Sequence, residues 1–196
     1  YKKLIREGKY TTKELDEKVR RVLRLFYRTT MKSNKPYGFL CSESHYDAAL
    51  KIAQEGIVLL KNERVKELKG ETLLPINLQT TKRVLVVGEN AIKMMTVGGG
   101  SASLKAQKEI LPLDGIKARF AGADVDYARG YVGDTVQSYN GVTVGRSLYE
   151  TRSQEELTAE AVEKARQADV VIFVGGLNKS NYQDCEGHDR QSYDLP

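Results

Sequence analysis

The densest set of reactive side chains in the sequence is Asp184-Cys-Glu-Gly-His-Asp-Arg190, which places three carboxylates, an imidazole and a guanidinium within seven residues. Ahead of it, Asp169-Val-Val-Ile-Phe-Val-Gly-Gly176 is a short apolar run rich in valine and closed by two glycines. Such a run predicts a buried strand that delivers the chain into a loop. Loops at the carboxyl ends of strands in open α/β sheets are where ligands bind. Clustered titratable groups there suit proton transfer. Judged on residue types alone, a solvated charged loop is slightly the stronger reading.

A second candidate is Gly98-Gly-Gly-Ser101. It lacks the Gly-Lys-Ser/Thr ending of a phosphate-binding P-loop, and no G-x-G-x-x-G follows either candidate strand. Ser101 has no His/Asp partner legible in sequence, which argues against a serine nucleophile. A flexible loop approaching the first site, or plain turn chemistry, fits better. The two histidines, His45 and His188, and the two cysteines, Cys41 and Cys185, stand far apart, so no metal spacing exists. Both cysteines read as free, and no cofactor is implied.

The elements that must position these groups alternate in type. Thr11-Thr-Lys-Glu14 is a capping box that opens a helix of about eighteen residues, with Leu15, Val19, Val22, Leu23 and Phe26 as its apolar stripe. Met31 to Ser42 reads as a linker. Ser44 to Asp47 is expected to cap a second helix ending at Gly56, before a strand over Ile57-Val-Leu-Leu60 and a charged loop from Arg64 to Glu71. Arg83 to Gly88 is the clearest strand. Leu113 to Phe120 predicts a short helix, Ala123 to Ala128 a strand, and Ser153-Gln-Glu-Glu156 a capping box for a helix with Leu157, Ala161, Ala165 and Ala168 inside. The fold class expected is therefore α/β, a mostly parallel sheet covered by helices on both faces and incomplete in this chain. In such a sheet Gly88 and Gly175 end strands at one edge, which brings the loops of Gly98–Ser101 and Glu186 to one crevice.

Composition excludes little. Hydrophobic content is 40% and net charge +5, with the basic residues of the first thirty positions interleaved with acids. That pattern favours a solvated helix face over nucleic-acid contact. No run of about eighteen apolar residues is present to span a membrane. The sequence starts at Tyr1 without a signal segment and stops at Pro196, just past the charged loop, as a piece of a larger protein would.

Four stretches together resemble glycoside hydrolase family three, which contains β-glucosidases and β-xylosidases. Glu186-Gly-His-Asp-Arg190 with Tyr193-Asp-Leu-Pro196 is similar to its E-G-x-D-R…L-x-L-P signature. Leu15 to Leu25 resembles the helix leaving the family's barrel domain. Ala53 to Asn62, with Leu74-Pro75, resembles the opening of its second domain. Val84 to Asn90, then Gly98-Gly-Gly-Ser101 and Pro112 to Ile116, resembles the next strand, loop and helix. Only the stretch from about Gly130 to Arg152 has no counterpart.

The resemblance implies residues 1–43 as a helical arm and linker leaving a barrel, and residues 44–196 as the first part of a six-stranded α/β sandwich. It implies a retaining exo-acting β-glycosidase that removes terminal glucose or xylose. Retention needs two carboxyl groups roughly 5 Å apart. Glu186 matches the family's general acid/base, while the aspartate nucleophile belongs to the barrel, so the isolated chain is expected to be inactive. Such an acid needs a raised pKa when it donates its proton. Asp189 and Arg190 are expected to hold the loop by a carboxylate–guanidinium contact. Asp184 either tunes Glu186 or stands in solvent, and His188 is a candidate sugar contact. Expected partners are a β-linked oligosaccharide or aryl glycoside and the enzyme's own barrel, not nucleic acid or membrane. The expected location is the periplasm or the medium. A non-catalytic α/β module binding a sugar or nucleotide is the alternative.

Overall fold

The computed structural model describes residues 1–31, 38–96, 101, 104, 106–133, 138–139, 142–143, 148–178, 183, 186 and 189–194. The chain divides into two compact units, Tyr1–Val58 and Leu59–Pro196.

The first unit is helical: α1 (Lys2–Arg6), α2 (Thr12–Phe26) and α3 (Glu43–Gly56). The capping box at α2 forms as its sequence predicts, with the Thr11 backbone N–H donating to Glu14 Oε2 at 3.1 Å. The bond donated by the Thr11 hydroxyl holds the Glu14 carboxyl below its usual range. After Phe26 the coil widens into a π-helical turn, Tyr27–Met31. Helix α3 begins two residues earlier than the serine pattern suggests. Its cap is Ser42, and His45 stands where a glutamate would, accepting the Ser42 N–H on Nδ1 at 3.4 Å. Ile57 to Leu60 is not a strand: the run has no ladder partner among the described residues and is 64–92% exposed. Its β propensity has no neighbouring backbone to pair with.

The second unit is built on a parallel sheet of order β4-β3-β7, with β3 Arg83–Val87, β4 Asp124–Ala128 and β7 Val170–Phe173. Two short antiparallel hairpins stand apart from it, β1–β2 (Arg64–Val65 with Glu71–Thr72) and β5–β6 (Ser138–Tyr139 with Val142–Thr143). The first lies within the segment expected to be a charged loop.

Strand β3 is the centre of the core. Alternate side chains leave opposite faces of a strand, and here each face meets a different helix. Val84 and Val86 pack with Leu113, Ile116 and Phe120 of and beside α4 (Pro112–Arg119), while Leu85 and Val87 meet Ala161 and Ala165 of α5 (Gln154–Gln167). Each fully buried valine or leucine contributes about 1.5–3 kcal/mol. The capping box of α5 also forms, with the Ser153 N–H donating to Glu156 Oε2 at 2.7 Å and the Glu156 N–H to Ser153 Oγ at 3.3 Å. Lys164 fastens α5 to β4 by donating to the Tyr127 carbonyl at 2.9 Å and pairing with Asp126 at 3.1 Å.

Strand β7 is covered on one face only. Ile172 and Val174 join the α4 side, whereas Val171 and Phe173 are 44% and 64% exposed. Asp169 fixes its register at the amino end: one carboxylate oxygen accepts the backbone N–H groups of Lys82 and Arg83, both at 2.8 Å. These two bonds hold the Asp169 carboxyl below its usual range.

Candidate functional site

The chain passes from β3 to β4 through α4 on one face, then returns across the sheet through α5 to β7 on the far side of β3. The connections therefore diverge at the carboxyl end of β3, the switch point where α/β sheets open a crevice. Gly88 ends β3 at φ +117°, and a Cβ there would lie 2.3 Å from the Val174 carbonyl oxygen. Only glycine lets the two strand ends come this close.

Immediately beyond it lies a buried polar cluster. Glu89, Asn90, Lys93, Arg129 and Asn178 are each no more than 4% exposed. Arg129 reaches from the end of β4, donating through Nη2 to Glu89 Oε2 at 3.1 Å and through Nη1 to the Leu148 carbonyl at 2.6 Å. Asn178, five residues past β7, donates to Glu89 Oε1 at 2.8 Å and to Asn90 Oδ1 at 3.1 Å, and accepts from Lys93 Nζ at 3.3 Å. Asn90 donates in turn to the Gly176 carbonyl at 3.0 Å. Three strand-end segments are thus joined by one hydrogen-bonded network. A buried charge is tolerable only when paired and hydrogen-bonded in this way.

Two tyrosines close the network from the side. The Tyr131 hydroxyl accepts the Glu89 N–H and the Tyr127 hydroxyl donates to the Gly88 carbonyl, both at 3.3 Å. Burial pushes Tyr127 up to about 12 and raises Tyr131 as well, so both remain neutral. Gly133, at φ +60°, lies against the Glu89 carboxylate, where a Cβ would fall 2.1 Å from Oε2.

Ser101 Oγ donates to Glu186 Oε1, a contact between one residue of each candidate loop. Both loop stems are held. Glu109 accepts the Met95 N–H on Oε1 at 2.6 Å and the Thr96 hydroxyl on Oε2 at 2.7 Å. Gln183 Oε1 accepts the Asn178 N–H at 3.2 Å. A carboxyl group in contact with a hydroxyl can donate and recover a proton.

Of the residues singled out in the sequence, Ser101 and Glu186 are in contact. Gly98, Gly99, Gly100, Asp184, Gly187 and His188 lie outside the described residues, as does Cys185, while Cys41 is exposed and free. Arg190 Nη2 donates to the Asp194 carbonyl at 3.1 Å, and its guanidinium lies 5.9 Å over the Tyr193 ring. Sequence reasoning missed Glu89, Lys93, Arg129 and Asn178 as a group. The available signal was an acid directly after Gly88, at the mouth of the clearest strand.

Among the described residues no group of three or more His, Cys, Asp and Glu is placed to hold a metal ion. No described helix is long and apolar enough to cross a membrane.

Comparison with known proteins agrees with this architecture. The chain is 50% identical, over its whole length, to β-glucosidase BoGH3A of Bacteroides ovatus, and covers 25% of that protein. It is 33% identical to the periplasmic β-glucosidase of Salmonella typhimurium over 88% of the chain and 24% of that protein. The chain therefore spans about a quarter of the length of these relatives. Its fold is shared with a solved β-glucosidase involved in saponin metabolism from intestinal bacteria, at TM-score 0.62 and 23% identity over 90% of this chain and 26% of that one. The sequence profile of the glycosyl hydrolase family 3 C-terminal domain matches residues 57–196, and the chain belongs to that family.

Proposed function

We propose that this chain is the acid/base-bearing part of a retaining β-glycosidase that removes terminal β-linked glucose or xylose, with Glu186 as the general acid/base. The contact between Ser101 and Glu186 at the carboxyl edge of the sheet is the observation that supports this reading most. It joins Ser101 and Glu186, one residue from each of the two family-like motifs, and it fixes one oxygen of the Glu186 carboxylate.

In the first step an aspartate of the barrel attacks the anomeric carbon as the glycosidic bond breaks. Glu186 gives its proton to the departing oxygen, leaving a glycosyl ester on the aspartate and an ionised Glu186. In the second step Glu186 takes a proton from water, which displaces the aspartate and releases the sugar with its configuration retained. A hydroxyl that donates to the carboxylate favours its charged form, the one the second step needs. The charge released on the aspartate then helps Glu186 hold its proton for the next cycle.

This assignment makes residues 1–43 an arm and linker from the barrel, which is the domain's partner. The chain alone is expected to be inactive because the nucleophile lies in the barrel. A β-linked oligosaccharide or aryl glycoside is the substrate, and the periplasm or medium is the proposed location, as the name of the Salmonella relative suggests.

The test is Glu186→Ala in the full-length enzyme, measured on cellobiose and on 2,4-dinitrophenyl β-glucoside. An alkoxide leaving group needs the proton and dinitrophenolate does not, so kcat/KM on cellobiose should fall ~10²–10⁴-fold. On the aryl glycoside kcat/KM should be nearly unchanged. Normal cleavage of both substrates would make the loop structural.

A further inference from the structure

Glu109 carries a role that the reaction scheme above does not include. The glycine-rich loop leaves a buried segment, with Ala91, Ile92 and Lys93 all under 8% exposed. It returns to another, where Leu111 and Leu113 are 8% and 1% exposed. Between these anchors lies Ser101, which meets Glu186. Two residues before Leu111 stands the half-buried Glu109 carboxylate. Its two oxygens accept from the two consecutive residues opposite, the Met95 N–H at 2.6 Å and the Thr96 hydroxyl at 2.7 Å. Bonds to an ionised acceptor are stronger than neutral ones, and a two-oxygen grip fixes direction as well as distance.

We propose that Glu109 is a positioning residue for the proton transfer, a clasp on Met95 and Thr96 that sets where Ser101 holds the Glu186 carboxyl. The proposal rests on the reading of Glu186 as the acid/base. Opening the clasp releases Met95 and Thr96 from Glu109, and the Ser101 hydroxyl no longer fixes Glu186 Oε1. Proton donation then loses its geometry while the barrel's attack on the sugar does not. A displacement of about 1 Å in a reacting group is enough to cost on the order of 10²-fold.

The chemistry of the clasp sets it apart from a generic packing role. A glutamine at 109 can accept the Met95 N–H on its carbonyl oxygen and donate from its amide to the Thr96 hydroxyl, which serves as acceptor as well as donor. Alanine can do neither. Thr96→Val removes one of the two bonds at constant shape, and Thr96→Ser restores it.

The experiment uses the full-length enzyme and compares kcat/KM on cellobiose and on 2,4-dinitrophenyl β-glucoside. Glu109→Ala should lower the cellobiose value ~10–100-fold and the aryl value less than ~3-fold. Glu109→Gln should stay within ~3-fold of the wild type on both. Thr96→Val should show a smaller loss, ~3–10-fold, on cellobiose alone, with recovery in Thr96→Ser. Equal losses on both substrates, or a glutamine variant as impaired as alanine, would overturn the clasp. If Glu109→Ala does not fold, the threonine pair decides, and a Thr96→Val enzyme without the selective loss refutes it. Glu186→Ala measured alongside separates the two ideas. If that variant shows the substrate split and the Glu109 and Thr96 variants do not, only the clasp fails. If Glu186→Ala shows no split, the acid/base assignment itself is wrong.

Discussion

Helix α2 and strand β3 carry equally clear apolar patterns, and the chain treats them in opposite ways. Four of the five residues of β3 are buried, and its two faces are divided between α4 and α5. In α2 no residue is buried, and the stripe of Leu15, Val19, Val22, Leu23 and Phe26 is 38–54% exposed. Periodicity says which face of an element is apolar; it does not say which chain covers that face. The sheet unit covers its own strand, whereas the helical unit presents a stripe suited to a surface such as the proposed barrel.

The largest effect expected on this contrast comes from the polar base of the sheet unit. Arg129→Met removes the guanidinium that pairs with the buried Glu89 and should cost about 3–5 kcal/mol in urea unfolding of this chain. The loss in the double variant with Glu89→Gln should be smaller than the sum of the two single losses, because the two side chains interact directly. A single-variant loss within ~0.5 kcal/mol would mean that the pair is not held as a buried unit.

Next come two leucines. Leu85→Ala removes a fully buried side chain at the centre of β3 and should cost about 2–5 kcal/mol. Leu23→Ala on α2 should stay within ~0.5 kcal/mol in this chain. In the full-length enzyme the leucine comparison sharpens, since a barrel seated on the stripe should make Leu23→Ala cost about 2 kcal/mol or more. Equal effects of the Leu23 substitution in the two settings would leave the arm without a partner.

The smallest effect is a pH dependence at the amino end of β7. The Lys82 and Arg83 N–H bonds lower the Asp169 carboxyl in the folded state. A group depressed on folding stabilises the fold above its unfolded value, here near 3.8, and that contribution disappears as the pH falls through the lower folded value. Melting temperature should therefore fall between about pH 5 and pH 2, and less steeply in Asp169→Asn. Parallel curves would remove Asp169 from this role.

Local signals were the most legible part of the sequence. The capping boxes at Thr11 and Ser153, the strand from Arg83 and the helices from Pro112 and Gln154 all follow from spacing a few residues long. Ile57 to Leu60 misled because β-branched and leucine runs report apolarity, whereas a strand also needs a neighbour to pair with. The cap at Ser42 was hidden because histidine replaces the usual acid at the third helical position. The network of Glu89, Arg129 and Asn178 was illegible for a different reason. Its members are 40 to 89 residues apart, and each alone reads as an ordinary surface polar group. Only the register β4-β3-β7 brings them together. Glu186 stood out through its motif, but its contact with Ser101 spans 85 residues and follows from the same register.

The most direct test of Glu186 as the acid/base is the anomeric configuration of the product when the Glu186→Ala full-length enzyme cleaves 2,4-dinitrophenyl β-glucoside in azide. Without the acid/base, the glycosyl ester forms and water is not activated, so azide should accelerate turnover and yield β-glucosyl azide, readable by proton NMR. An α-glucosyl azide would make Glu186 the nucleophile, and an absence of any azide product would remove it from the chemistry.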